Sequence, residues 1–260
     1  SEMCIRDRTN IILDQLYTMN GTDMERQDLA GEAYFMRAFS YFMLANLYGK
    51  PYHPATANED LCVPLNKEIG LSDKMMKRAT NAAVYAQMEE DINKAIQCFK
   101  AIGGEKTIFR PNLPSAYLLA SRIALFQEKY DVTILYCDSV FKVATQPLYK
   151  LQEKKDHYFF SLANKEILLS YGLTSLETHM KEDFRYTGNL VVSDDLLALY
   201  SEDDLRLTNY FKNTIGNQTR PTNKQYSVYT PIKWTKNSAT VYANALRISE
   251  AYLNRAEAFA

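Results

Sequence analysis

Glu202, Asp203 and Asp204, followed by Arg206, are a dense set of side chains in this 260-residue chain that could carry acid–base chemistry. Glycoside hydrolysis needs two carboxylates facing each other across a cleft, roughly 5 to 9.5 Å apart. Consecutive residues of a helix point in different directions, so the run reads instead as a solvated acidic turn in which Asp204 and Arg206 form a local ion pair. The three histidines, His53, His157 and His179, stand at no spacing that would build a metal site or activate a nucleophile. No serine sits in a G-x-S-x-G elbow, and no glycine-rich loop is placed to cradle phosphate. Cys4, Cys62, Cys98 and Cys137 are widely spaced, lack a C-x-x-C, and read as isolated buried thiols. The expectation is a chain with no catalytic residues, no metal and no cofactor.

Binding is the remaining class of work. The aromatic set is heavy in tyrosine, with 19 Tyr and 12 Phe against one Trp, and phenols suit surfaces that are half wet. Net charge is −1 with an isoelectric point near 6.3, and no block of Lys or Arg is long enough to follow a phosphate backbone, so nucleic acid is excluded as a partner. No stretch of 18 apolar residues exists to cross a bilayer as a helix. The opening "SEMCIRDR" lacks the apolar segment of a secretion signal and looks unrelated to the rest of the chain, which sets residues 1–27 apart from 28–260.

The elements that would position binding residues are mostly helical. Leu29, Ala33, Met36, Phe39, Met43 and Leu47 recur at steps of three and four over residues 28–48, and Gly49 with Pro51 stops the helix. Phe35, Phe39, Tyr41 and Phe42 on this helix read as packing, and Arg37 as the partner of a carboxylate or of helix-end carbonyls. A second helix is expected over 82–99, with Thr80 near its N-cap and Gly103-Gly104 ending it. Beyond Pro111 and Pro114, residues 115–127 and 131–143 form an antiparallel pair of tetratricopeptide proportions. Ala116, Ala120 and Ala124 allow close approach on one face, although Ile134 stands where such repeats want Ala. Residues 146–240 are broken by Asn, Thr, Gly, Pro and charge and read as a loop-rich elaboration, with one short helix in "SDDLLALY" capped by Ser193. "NALRISEAYLNRAEAFA" closes the chain as a helix with Leu246, Ser249, Leu253, Ala256 and Ala260 on one stripe; its undiminished pattern at the last residue suggests a longer natural chain.

Several of these phrases, in order, resemble the SusD/RagB family of nutrient-binding outer-membrane lipoproteins. They are Gly31-Glu32-Ala33, Arg37-Ala38 within the aromatic stretch, Leu47-Tyr48-Gly49 with Pro51, "VVSDDLLALYSEDDLRL" with Asp204 and Arg206, Lys233-Trp234, and Arg247, Glu250, Leu253, Ala256, Glu257 and Ala258 in the last helix. The resemblance covers roughly residues 28–260. It departs from the family in showing neither the lipoprotein signal with its acylated Cys nor the usual C-terminal portion, and Cys4 has no apolar segment before it.

The resemblance implies a mostly α fold of tetratricopeptide-like helix pairs with a long loop-rich insert. It also implies a non-catalytic surface lipoprotein on the outer membrane of Gram-negative bacteria, capturing glycans, or peptides in some branches, for a SusC-like TonB-dependent transporter. Sugar recognition needs flat apolar platforms for ring C–H faces, flanked by polar groups for the hydroxyls. The candidates are Trp234, the largest platform; Tyr226 and Tyr229, which alternate with polar residues in "NKQYSVYTP"; and Tyr52 and His53 in the Pro-bounded loop after the first helix. The alternatives are a tetratricopeptide scaffold holding a peptide or protein, which the long non-repetitive insert argues against, and a helical glycosidase.

Overall fold

A computed structural model describes residues 2–67, 76–104, 106–148, 164–173, 192–216, 226–231 and 242–260. Its longest helix, α2 (Asp23–Tyr48), begins before the expected residue 28 because Thr22 builds a capping box. The Thr22 hydroxyl accepts from the Glu25 N–H, and the Glu25 carboxylate accepts from the Thr22 N–H. Phe35, Ala38, Tyr41, Phe42 and Ala45 form its buried face, and the Gly49 N–H closes the last turn on the Ala45 carbonyl at 2.8 Å. Leu47, expected on the buried stripe, is 61% exposed, because the final turn runs past the core.

Helix α1 (Glu2–Gln15) packs on α2, and α3 (Asn81–Ile102) lies along it in the opposite direction. Contacts 31 with 99, 37 with 91 and 49 with 81 fix that antiparallel sense. At Gly31 the two helices pack without room for a side chain, since a Cβ there would stand 2.8 Å from Cε1 of Phe99. The Thr80 hydroxyl caps α3 by accepting from the Ala83 N–H, and Gly103, at φ +65, ends it in a backbone conformation that suits glycine.

Helices α4 (Leu113–Phe126) and α5 (Tyr130–Val143) form the expected pair, and Ala116, Ala120 and Ala124 are all buried. The connection is so short that Glu128 takes φ +61. Asn112 caps α4 by accepting from the Ser115 N–H while its amide donates to the Leu168 carbonyl.

Residues 146–240 hold more regular structure than the loop-rich expectation: strand β1 (Ile167–Leu173), helices α6 (Asp194–Ala198) and α7 (Leu205–Tyr210), and strands β2 (Phe211–Gly216) and β3 (Tyr226–Pro231). Ser193 caps α6 as the sequence indicates. β2 and β3 are rich in polar positions and β1 is a short apolar run, so none shows a clear apolar alternation, and their pairing, not their periodicity, makes them visible. The expected closing helix is also shortened. Residues Tyr242–Arg247 form strand β4, paired with β1, and helix α8 is Ile248–Phe259. Strand pairing overrides the helical preference of Ala243 and Ala245, and it resets the helix phase. Ile248, Ala251 and Asn254 face inward, while Leu253 is 70% exposed.

The chain divides into two compact units. The first comprises Ser1–Gln146, Leu168–Ser170 and Ala245–Ala260; the second comprises Pro147–Ile167 and Tyr171–Asn244. The core of the first unit is one cluster that gathers Phe35, Tyr41, Met88, Ile92, Leu118, Ile123, Leu168, Leu246 and Ala251. The described part of the second unit is built on the β2–β3 hairpin and the two short helices.

Candidate functional site

The loop after α2 is held by backbone clamps. Arg78 donates from Nε to the Cys62 carbonyl at 2.5 Å and from Nη2 to the carbonyls of Leu61 at 2.8 Å and Tyr48 at 3.3 Å. The buried Asn81 amide donates to the Lys50 carbonyl at 3.0 Å. Within the loop, Lys50 and the Thr56 hydroxyl both reach Asp60, at 2.5 and 2.6 Å. The Lys50 hydrogen bond, and then that of Thr56, hold the Asp60 carboxyl below the ordinary carboxylate range. Four side chains, Lys50 and Thr56 from within the loop and Arg78 and Asn81 from beyond it, thus anchor it as a platform.

Tyr52 and His53 sit side by side on this platform with different surroundings. The Tyr52 ring is half-buried, 4.7 Å from the ring of Tyr85 and packed against the core. Burial raises the Tyr85 phenol above its ordinary value. His53 is exposed; its Nδ1 accepts from the Ala55 N–H at 3.3 Å, and its carbonyl accepts from Thr56 and Ala57. Next to them the sequence reading overlooks Tyr48, which is 66% exposed at the end of α2, and Arg78. Tyr48 looks like the end of a packing helix until the exposure of the last turn is known, and no local pattern marks Arg78 as the clamp.

In the second unit, Tyr226 and Tyr229 lie on β3, antiparallel to β2, with Tyr226 opposite Gly216 and Tyr229 opposite Asn213. Positions three apart in a strand fall on opposite faces. Trp234, Lys233, His157 and His179 lie outside the described residues.

The acidic turn is occupied by structural duties. Asp204 caps α7, accepting from the Arg206 N–H at 2.8 Å, and also receives the Arg206 guanidinium at 2.6 to 3.1 Å. That guanidinium lies 4.8 Å from the Tyr200 ring, and its hydrogen bonds hold the Asp204 carboxyl low. Glu202 and Asp203 are exposed. Cys62 and Cys137 are free and buried, with thiols pushed up by burial, and Cys98 is free and half-buried. Among the described residues no group of three His, Cys, Asp or Glu could hold a metal ion, and no helix is long and apolar enough to cross a membrane.

Gly31 and Glu32 of the opening phrases, and Glu250 of the closing one, carry the scaffold. Gly31 admits the Phe99 ring. Glu32 binds both Lys106, at 2.7 Å, and Arg110, at 2.7 and 2.9 Å. In the last helix Glu250 receives Arg122 through two bonds of 2.6 Å.

Residues 5–125 match the family model SusD-like_3, described as starch-binding and associating with the outer membrane. Among solved structures, a SusD superfamily protein from Bacteroides thetaiotaomicron VPI-5482 is 24% identical with a TM-score of 0.78, over 98% of this chain and 59% of that one. A SusD-like carbohydrate-binding protein from Bacteroides vulgatus ATCC 8482 is 18% identical with a TM-score of 0.81, over 99% and 56%. A third, solved with a xylogluco-oligosaccharide, is 15% identical with a TM-score of 0.71, over 99% and 58%. At these identities the likeness is one of fold, and the chain spans less than three fifths of each of those proteins. No curated protein matches the chain.

Proposed function

We propose, from the match of residues 5–125 to the SusD-like family model and the SusD-like, mostly helical fold of the chain, that this protein captures nutrient glycans at the cell surface without transforming them. The family match carries the proposal. The shared fold with a protein solved in the presence of a xylogluco-oligosaccharide supports the ligand class, oligo- or polysaccharide. In this reading the protein is held at the outer membrane as a lipoprotein and hands its ligand to a SusC-like TonB-dependent transporter.

The stacking candidates are Trp234, Tyr226 and Tyr229 in the second unit and, as a separate set, Tyr52 and His53 on the loop of the first. Oligosaccharides bind by ring stacking and hydroxyl hydrogen bonds, so rigid aromatic positions limit the entropy lost on binding. Non-catalytic capture fits the state of the carboxylates, since Asp204 and Asp60 are committed to cations and caps.

Calorimetry with a panel of soluble glycans and peptides, run beside Trp234 fluorescence, tests the proposal. Saturable heat with one glycan class, the glycan recovered uncleaved, is the expected result. Saturable heat with peptides alone moves the protein to peptide capture, and cleavage of the bound glycan overturns the non-catalytic reading.

A further inference from the structure

Apart from the loops, the first unit holds a cleft of about 220 Å³ where the end of α3, the start of α4 and the end of α5 converge. Ile102, Ile108, Leu113 and Val143 give it apolar walls, and Thr145 and Gln146 bring polar groups to it. Two observations make it more than a packing gap. Gln146 Oε1 is shielded from solvent and has no hydrogen-bond partner among the described residues. A shielded acceptor left empty is costly, and a donor arriving in the cleft would relieve that cost. Gly103 and Gly104, at φ +65 and +76, line the opening, and a Cβ built on either meets nothing within 4 Å, so the backbone turn leaves an open way in.

Charge decides the class of occupant. Lys106, also at the cleft, is committed to Asp28 and Glu32, and Arg110 to Glu32, so two cations and two anions cancel. Among the described residues a charged ligand finds no free counter-charge there. The volume is roughly seven water volumes and falls below the roughly 300 to 1,000 Å³ of pockets for drug-sized ligands, which suits a single ring.

We infer that this cleft is a second ligand site, for a neutral hydroxylated molecule the size of one sugar ring, with a hydroxyl donating to Gln146 Oε1. Apolar walls accept the C–H faces of such a ring, and Thr145 offers a second polar contact. The site shares its ligand chemistry with the proposed capture function but none of its residues, and it rests on the cleft alone.

Titration of the whole chain with D-glucose, D-xylose and glycerol, followed by backbone amide NMR, tests the inference. Saturable shifts confined to residues 102–113 and 143–146 with one or both sugars are expected. Gln146→Leu, which keeps the bulk and removes the acceptor, weakens the binding at least tenfold, and Val143→Trp, which fills the cleft, removes it. Amide spectra that otherwise superimpose certify folding, and if Val143→Trp does not fold, Gln146→Leu alone decides. No shifts at these residues up to saturating sugar, or shifts that Gln146→Leu leaves unchanged, overturn the inference. Oligosaccharide calorimetry on the same samples separates the two readings: cleft shifts without oligosaccharide heat keep this site and reject glycan capture, and the reverse rejects this site alone.

Discussion

Arg37 and Asp91 meet as a two-pronged ion pair inside the first unit, Nε donating to Oδ2 at 2.8 Å and Nη2 to Oδ1 at 2.6 Å, with Asp91 fully buried. The third guanidinium nitrogen donates to Asn10 Oδ1 at 3.0 Å, and Asn10 donates in turn to the Asn66 carbonyl, which the Tyr41 hydroxyl also binds. One network thus joins α1, α2, α3 and, through Asn66, the end of the loop segment that finishes at Lys67. Such a network is worth having only when every member is satisfied.

Asp91→Ala leaves the Arg37 guanidinium without its counter-charge in a buried site, so a loss of about 3 to 5 kcal/mol is expected from urea unfolding followed by circular dichroism. Arg37→Met combined with Asp91→Leu should cost less than Asp91→Ala alone, because no charge is then stranded. A double variant worse than the single one would mean that the pair stabilises beyond its own electrostatics.

Gly31→Ala places a methyl group 2.8 Å from Phe99 Cε1 and 3.0 Å from Cys98 Cβ, where α2 packs on α3. Overpacking of this kind costs about 1 to 3 kcal/mol, more than the helix preference of Ala returns. Phe99→Leu in the same background should recover part of the loss, since the clashing ring is gone. An unchanged unfolding midpoint for Gly31→Ala would show that the helices separate freely.

Most of the helical frame was legible in the sequence because its signals are local: Thr80 and Ser193 as caps, Gly49 and Gly103 as stops, and apolar steps of three and four in α2 and α3. The strands were not legible, because pairing with distant residues decides them. The "NALR" of β4 carries good helix formers and becomes strand only opposite β1. The Arg37 partner was legible as a type, a carboxylate, but its identity depends on how α3 lies along α2. At the candidate site, Tyr52 and His53 were legible as loop residues, but the burial of one beside the exposure of the other depends on Tyr85, far along the chain.

The reset phase of α8 gives a prediction in which the sequence pattern and the structure disagree. Leu253 sits on the expected apolar stripe yet is 70% exposed, whereas Ala251 is fully buried against the core. Leu253→Ser should therefore change the stability of this chain by less than about 0.5 kcal/mol, while Ala251→Asp, burying an unpaired charge, should prevent cooperative unfolding at a measurable midpoint. Thermal melts of the two variants separate the alternatives, and the opposite ranking would restore the sequence stripe.

Acid should weaken the fold through identifiable carboxylates. The backbone hydrogen bond from Thr22, and then its hydroxyl, hold Glu25 below the ordinary carboxylate range, as Lys50 and Thr56 do for Asp60. A carboxylate with a lowered folded-state pKa contributes stability that is full above its unfolded value, and this is lost as pH falls through the folded one. The midpoint temperature should therefore be flat near neutrality and fall as pH drops below about 4. Glu25→Gln with Asp60→Asn should lower the neutral midpoint and flatten that fall. A parallel fall in variant and parent would assign the acid sensitivity to other groups.

The hairpin makes the sharpest statement about the ligand surface. Tyr226 and Tyr229 are three residues apart on β3, so they occupy opposite faces of the β2–β3 ribbon, opposite Gly216 and Asn213. By strand alternation, a glycan stacking on one face of a two-stranded ribbon reaches one of these two positions and not the other. Losing one stacking ring costs about 0.5 to 1.5 kcal/mol beyond its area, which approaches a tenfold loss of affinity. With a glycan that binds the parent chain, Tyr226→Ala or Tyr229→Ala should weaken binding by up to about tenfold, and its counterpart should leave affinity within about twofold. Equal losses in both variants would mean that the ligand wraps the ribbon edge and touches both faces. No loss in either would remove the hairpin from the ligand surface and leave Trp234, or separately the loop of Tyr52 and His53, as the stacking candidates.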